Sequence, residues 1–521
     1  MTAPATARAT AAGQVDPARS PVRLPGDADD NSIAREPLWH AYGEGADHPE
    51  PPPWTWAETP PPDSHVPPPP PRGAGHRTAL PPGATAYLSA RPYPATRHPR
   101  PADGATALAH ALTTAFAPLR REPENPYNEH RPYASPRCLF PVHAFVDGGA
   151  ADAPWRLLEP TRHALTGTPD RTPPSRIALT GRYSAIPAAY QWFRGSLVAI
   201  ELGMVLRALT LGLELFDVPA ALTLPGADSD TLLRELDLGN TWEWSLPWQL
   251  DLTERLPAPA TPAVPESPVP VGDPALTDVV RVNRRQRYPS TAGNGPTAAR
   301  LTTAVPAGLP ASAAAPDWAE LLWQRHSGRM PRGLHGMDSS ARHPALPADV
   351  LRTALAWLAV PPPHPALAAA FDAVRVSAVV QHVEGHEDGV YRARDGRAEL
   401  VRADPAAPAA LEEHYGYGVS PVNGCGVANA PVTVFFSVRP RELFARFGPA
   451  GWGAAQHACG WAVHGLCLSA AASGLFARPV RAFKEIPTQG VIGLGTDETI
   501  VLSAVVGVPR STGGALLDLR T

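Results

Sequence analysis

Apolar positions along this chain fall into two alternating patterns, and the order of those patterns recurs. Residues 102–116, ADGATALAHALTTAF, carry apolar side chains at the spacing of an amphipathic helix. CLFPVHAFV at 138–146 reads as a strand. SLVAIELGMVLRALTLGLELF at 196–216 is apolar nearly all round, which predicts one long, largely buried helix. Glu201 and Arg207 interrupt it and its flanks are of soluble type, so it is a core helix rather than a membrane span. The order then repeats with helices at DWAELLWQRHSG (317–328) and PADVLRTALAWLA (347–359) and a strand at VRVSAVVQHV (374–383). A turn and second strand at EDGVYRARDGRAELV (387–401) and a long apolar helix at GAAQHACGWAVHGLCLSAAASGLF (453–476) follow, and the strand ETIVLSAVVGVP (498–509) closes the series. Each long helix runs into a glycine, in ALTLGLELF (208–216) and AAASGLFARP (470–479), where glycine suits a C-terminal cap. The halves read as duplicated α/β units. Such halves can form within one chain the interface that other proteins form between two subunits.

Proline divides these patterns. The chain of 521 residues holds 66 prolines, about one in eight against a usual share near 5%. They are dense in 1–74, which ends in PPPDSHVPPPPPRG and is expected to be a disordered arm, with Trp54 and Trp56 as docking or recognition contacts. They are dense again in 256–275, the expected linker. Two lobes follow, 75–255 and 276–521. The length supports this, because single hydrophobic cores stop growing near about 250 to 300 residues.

A formal charge of −4 with 18% charged residues gives no basic footprint for a nucleic acid. The N-terminal residues lack the apolar core of a signal peptide and no uncharged apolar run of about 18 residues occurs, so no membrane association and a cytoplasmic location are expected. Cys138, Cys425, Cys459 and Cys467 are too few and too irregularly spaced for a disulfide framework or a metal site and read as small buried residues. His382 and His386 flank Glu384 within a strand-and-turn pattern, which does not present them as a helical metal pair. His457 and His464 share a helix face, where they either line a cavity or hydrogen-bond in the core.

The sharpest local motif is Arg325-His326-Ser327-Gly328-Arg329, at the end of the helix that opens the second half. Two forked, permanently charged guanidinium groups with a hydroxyl between them can meet a phosphate from several sides. A solvated or capping helix end has the same composition. Lys484, the single lysine, is either a surface residue or a contact to a phosphate or substrate. No GxGxxG segment follows a strand, so nothing supports a tightly bound nicotinamide cofactor.

These segments together resemble the nitroreductase superfamily, most closely the azoline dehydrogenases that act on ribosomal peptides. LLWQRHSGRM with PADVLRTALAWLA is similar to that family's opening R-x-S-x-R segment and the helix after it. AVVQHVEGHEDGVYRARDGRAELV resembles its hairpin, with a glycine–hydrophobic–tyrosine turn at Gly389 to Tyr391, and AAQHACGWAVHGLCLSAAASGL resembles its central helix. IVLSAVVGVPR resembles its terminal strand. ASPRCLFPVHAFV resembles the P-S-x-G-x-L-Y-P segment, matched at Ser135, Leu139 and Pro141, with Arg137 where the family has glycine. The likeness spans roughly residues 75 to 510.

The resemblance implies an α/β (α+β) fold of two tandem lobes forming a pseudo-dimer, and FMN as cofactor. It implies one FMN site made by Arg325, Ser327 and Arg329 of the second lobe with Ser135 and Arg137 of the first, Lys484 as a further contact, and a degenerate pseudo-equivalent site. The catalytic Lys-Tyr pair of some azoline dehydrogenases corresponds by position to Arg182-Tyr183, with Tyr183 as proton acceptor and Arg182 as its electrostatic partner; Tyr183 could equally be a packing aromatic. The implied activity is oxidation of thiazoline or oxazoline rings in a precursor peptide of thiopeptide type to azoles, with molecular oxygen reoxidising FMN. The alternatives are a flavin oxidoreductase acting on another small molecule and an inactive scaffold that binds the peptide. The precursor peptide is the expected partner. A cyclodehydratase, other maturation enzymes and a second copy of the chain are further ones.

Overall fold

A computed structural model describes residues 75–96, 103–123, 129–148, 154–168, 173–226, 228–252, 272–285, 287–288, 298–309, 316–328, 339–340, 343–415, 426–510 and 515–521, with 66 and 68. The expected arm (1–74) and linker (256–275) lie almost wholly outside the described residues, as do Arg329 and Cys425.

The helices are α1 (Ala84–Ser89), α2 (Gly104–Phe116), α3 (Arg194–Leu215), α4 (Ser229–Glu235), α5 (Pro274–Arg285) and α6 (Trp318–Gln324). They continue as α7 (Ala348–Leu358), α8 (Pro365–Ala373), α9 (Ala407–Glu412), α10 (Pro440–Phe447), α11 (Gly451–Ala472) and α12 (Glu485–Ile492). Asp103 and Asp317 cap α2 and α6, each accepting from a backbone N–H three residues on.

The strands of the first half are β1 (Arg77–Ala79), β2 (Arg120–Arg121), β3 (Glu129–His130), β4 (Val142–Val146), β5 (Arg156–Glu159), β6 (Ala164–Thr166), β7 (Arg176–Gly181), β8 (Ala221–Thr223) and β9 (Trp248–Asp251), with β10 (Ala299–Arg300) following. Those of the second are β11 (Arg375–Val380), β12 (Gly389–Arg394), β13 (Arg397–Ala403), β14 (Val432–Val438), β15 (Phe476–Val480) and β16 (Thr499–Gly507), with β17 (Leu517–Asp518) at the end. One antiparallel sheet runs β1-β6-β5-β4-β7-β9-β8-β10 and the other β13-β12-β11-β14-β16-β15. Replacing β4 to β9 in order by β11 to β16 turns β6-β5-β4-β7-β9-β8 into the second sheet, strand for strand. The repeated pattern in the sequence is therefore a repeated topology, with β1 and β10 added at the edges of the first copy. Strands β14 and β16 are buried along their whole length, which accounts for their continuous apolar runs.

The two copies share one core. Leu206 and Leu209 of α3 belong to the same apolar cluster as Trp461 and Leu466 of α11, Leu112 of α2 and Leu355 of α7. Helix α3 is long and apolar enough to cross a membrane, yet 94% of its most apolar window is buried inside the protein. Glycine allows the crossing of α3 and α11. A Cβ on Gly203 would lie 2.0 Å from the His457 carbonyl oxygen, and one on Gly460 would lie 2.0 Å from the Ile200 carbonyl oxygen. The contact is reciprocal, as across a two-fold axis.

One turn further along, the fully buried Arg207 donates to the carbonyls of Ala304 (3.1 and 2.9 Å), Trp461 (2.9 Å) and Trp357 (3.1 Å). Its guanidinium lies between the Trp357 and Trp461 rings, 5.0 and 5.1 Å from their centroids. Burial lowers its pKa to about 9, so it stays charged at neutral pH and ties α3 to α7 and α11.

Several sequence expectations are corrected. Gly212 is not a cap: α3 runs on to Leu215, and a Cβ at 212 would lie 2.6 Å from the Ala111 carbonyl oxygen on α2. Gly474, at φ +70°, does follow the end of α11. Gly389–Tyr391 begins β12, and the tight turn of that hairpin is Asp395-Gly396, at φ +49° and +73°. The strand at 499–507 is not the last, because β17 returns to the first half and pairs with β2. Strand β10, beyond the expected linker, pairs with β8 of the first sheet.

Gly460→Ala should cost about 1–3 kcal/mol in urea unfolding, because backbone rather than a mobile side chain blocks the methyl group. Gly490→Ala in α12, with nothing within 4 Å of the new atom, should be neutral or slightly stabilising.

Candidate functional site

The segment between β3 and β4 turns sharply over residues 135–140. Arg137, Cys138 and Phe140 all have left-handed backbone, at φ 51°, 55° and 50°. That conformation disfavours any residue with a Cβ by about 1–2 kcal/mol and collects at functional sites. Ser135 holds the turn. Its carbonyl accepts from the Cys138 N–H (3.2 Å) and its Oγ from the Phe140 N–H (2.8 Å).

Behind the turn, Ser135 Oγ lies 2.6 Å from Glu201 Oε2 on α3. Glu201 is fully buried, and its Oε1 accepts from the Val142 N–H at 3.4 Å. Burial raises its pKa from 4.5 to about 8, against the smaller opposing effects of Ser135, Val142 and Arg131. The other long helix also reaches this segment, through His464 Nε2, 3.3 Å from the Pro132 carbonyl oxygen.

Arg325 follows the last residue of α6 and enters from the second half. Its side chain is buried and Nε donates to the Arg131 carbonyl oxygen at 3.1 Å. Its Nη1 is buried with no hydrogen-bond partner among the described residues. Burial lowers its pKa, opposed by charge interactions with Cys467, Cys138 and Glu122. His326 is kept neutral by burial, with a pKa lowered to about 3, and its carbonyl accepts from the Ala477 N–H. Ser327 is half-buried and Gly328 has φ +88°.

The structure thus brings Arg325 against the segment that carries Ser135 and Arg137. Lys484 is exposed at the start of α12, where its N–H donates to the His414 carbonyl at 2.9 Å. Tyr183 and Arg182 follow β7, and the Arg182 N–H donates to the Pro141 carbonyl oxygen at 2.9 Å, which ties them to the end of the same segment. Arg182 is engaged by Glu243 at 2.8 Å and lies over the Trp244 ring. Tyr183 is buried, and burial pushes its pKa upward; the charge that opposes this is that of Arg284, not Arg182.

Three site residues escaped the sequence reading in this role. Arg131 lies 3.9 Å from the Phe140 ring centroid and bonds Glu129 at 2.9 Å, and nothing in its local sequence marks it. Glu201 stood out as a carboxylate in an apolar helix, which is the signal that could have found it. His464 was open between core and cavity; it is a buried residue that bonds to the segment. His457 is half-buried, with Nδ1 2.8 Å from Tyr288 OH. Among the described residues no group of three or more His, Cys, Asp or Glu side chains could hold a metal ion.

On the other side, aromatic rings meet where the two halves join. After α1, the counterpart of α6, Tyr93 lies edge-on to Trp318 and parallel to Trp357, and its OH accepts from Trp357 Nε1 at 3.0 Å. Trp318 Nε1 donates to the Ala95 carbonyl at 2.7 Å. Before β11 stands helix α8, where the first half has its turn before β4.

No family model matches the chain, and no curated protein matches its sequence. Among solved structures, a candidate nitroreductase of Anabaena variabilis superposes with a TM-score of 0.62, covering 92% of this chain and 99% of that one at 16% identity. The chain has a nitroreductase-like fold. A nitroreductase candidate of Ralstonia eutropha covers 43% of this chain (TM-score 0.29, 20% identity). The Escherichia coli microcin synthetase McbBCD complex, with truncated pro-MccB17 bound, covers 35% of this chain and 71% of that one (TM-score 0.29, 14% identity). At those scores neither likeness bears on function. The 92% of this chain that is covered takes in residues of both halves.

Glu201 also makes stability depend on pH. Its folded pKa, about 8, lies above the ordinary 4.5, so its contribution is complete below about pH 4.5 and is lost as pH rises through about 8. Chemical unfolding should show the wild type losing roughly a few kcal/mol relative to Glu201→Gln between pH 5 and 9. Parallel pH profiles for the two proteins would contradict the assignment.

Proposed function

We propose that the chain is an FMN-dependent oxidoreductase whose cofactor sits where Arg325 meets the Ser135–Pro141 turn, and that it oxidises azoline rings of a ribosomally made peptide to azoles. The supporting observation is the buried Nη1 of Arg325 at this junction, which has no hydrogen-bond partner among the described residues. A buried donor without an acceptor costs about 1–3 kcal/mol, and the phosphate or ribityl oxygens of FMN would satisfy it. The residues present fit such a group. Arg325, Ser327 and Arg329 would hold it from the second half, and Ser135 and Arg137 from the first. Lys484, exposed and bonded through its backbone to His414, is left out of the set. The junction closed by Tyr93, Trp318 and Trp357 leaves one site per chain in this reading.

Bound FMN would supply the two-electron acceptor that no side chain provides. The protein's part is to place a ring whose carbon beside the carbonyl loses a proton. Tyr183 is the proposed proton-handling side chain. Arg182 positions it, because its bonds to Pro141 and Glu243 fix the end of β7. The precursor peptide is the proposed partner, with cyclodehydratase and other maturation enzymes as companions in the same pathway. The burial of Tyr183 favours a second reading, a flavin oxidoreductase of another small molecule, which needs no base at this place.

The test is anaerobic and aerobic incubation of the FMN-loaded protein with a thiazoline peptide, followed by mass spectrometry. Loss of two hydrogens per ring is expected in air, with Tyr183→Phe reducing the rate by about 10²-fold or more and Arg325→Ala abolishing FMN retention. An unchanged peptide alongside rapid NAD(P)H-driven reduction of quinones or nitro compounds would favour the second reading.

A further inference from the structure

We propose that Glu201 is a positioning residue that sets the direction of the Ser135 hydroxyl, and so decides whether that hydroxyl can donate to a ligand at the junction with Arg325. This rests on the reading of the junction as a cofactor site. Ser135 Oγ has one fixed donor, the Phe140 N–H, and one partner of variable direction, Glu201 Oε2 at 2.6 Å. With Glu201 ionised, the Ser135 proton must point at the carboxylate, and no donor remains for a ligand. With Glu201 protonated, the acid can donate to Ser135 Oγ, which frees the Ser135 proton to turn outward. The second carboxyl oxygen is tied to the Val142 N–H in both states, so the carboxyl cannot rotate away without losing that bond.

Charged and titratable groups face Glu201 from each element packed around it. Arg131, Tyr133 and Cys138 of the turn segment interact with it through charge. Burial holds the Tyr133 hydroxyl protonated and raises the Cys138 thiol to about 12. On the elements packed against α3, burial lowers His143 of β4 and His457 and His464 of α11 to about 3. It raises Cys459, raises Cys467 to about 11, and keeps Tyr183 protonated after β7. His110 of α2 is engaged by the Pro82 carbonyl, Arg182 by Glu243 and Arg284 of α5 by Asp230.

The test is FMN binding to the full chain, stripped of flavin, read by quenching of flavin fluorescence between pH 6.5 and 9. Wild-type affinity should fall by about 3–10-fold as pH rises through about 8, the size of one hydrogen bond. Glu201→Gln reproduces the protonated state: its amide nitrogen can donate to Ser135 Oγ while its oxygen still accepts from Val142. It should bind as tightly as wild type at pH 6.5 and keep that affinity to pH 9. Ser135→Ala should bind weakly at every pH, with no step beyond that of the flavin itself, which all three proteins share. A pH step that survives in Glu201→Gln, or a Ser135→Ala profile that overlays wild type, overturns the inference while leaving the site intact. Absence of FMN binding by wild type at any pH overturns the reading of the site itself.

Discussion

The close crossing of α3 and α11 is the constraint on which the rest of the molecule depends. Two glycines, Gly203 and Gly460, let each helix touch the backbone of the other, and no larger residue fits at either place. At that separation the apolar faces that the two halves turn toward each other merge into one shared core, while each half keeps a smaller buried cluster of its own. Arg207 reinforces the crossing with carbonyls from α7, α11 and the bend at Ala304. A buried charge satisfied only by carbonyls and indole faces is expensive to desolvate. Its use here indicates that joining the halves outweighs that cost.

The candidate site inherits its geometry from the same crossing. Glu201 stands two residues before Gly203 and reaches Ser135, while His464 stands four residues after Gly460 and reaches Pro132. The turn between β3 and β4 is therefore held by one long helix from each half, and Arg325 adds a third hold through Arg131. A strained backbone with three left-handed residues in four positions persists because its surroundings fix it from several directions. On the opposite side Tyr93 packs against Trp318 and Trp357.

Much of this was legible in the sequence where periodicity is strong. The helices at 104–116, 194–215, 318–324, 348–358 and 451–472 follow apolar spacing, and Asp103 and Asp317 mark the starts of two of them. The strand at 142–146 was legible too, but its preceding residues were not, because three left-handed non-glycine residues have no compositional signature. Gly212 looks like a cap in sequence and is a contact point in space, since glycine serves both purposes. The returns of β10 and β17 to the first half are long-range pairings of two residues each, too short to leave a pattern. Arg325 could be singled out from its motif. The partners that give it meaning, Arg131 and the turn at Ser135, lie nearly two hundred residues away in the chain.

One cofactor per chain, held at the junction of Arg325 with the Ser135 turn, is the proposed arrangement. Counting the flavin released from the purified protein, after saturation with FMN and removal of the excess, tests it most directly. One FMN per chain is predicted, lost on Arg325→Ala and retained on Tyr93→Phe. Two FMN per chain, or none, would contradict it.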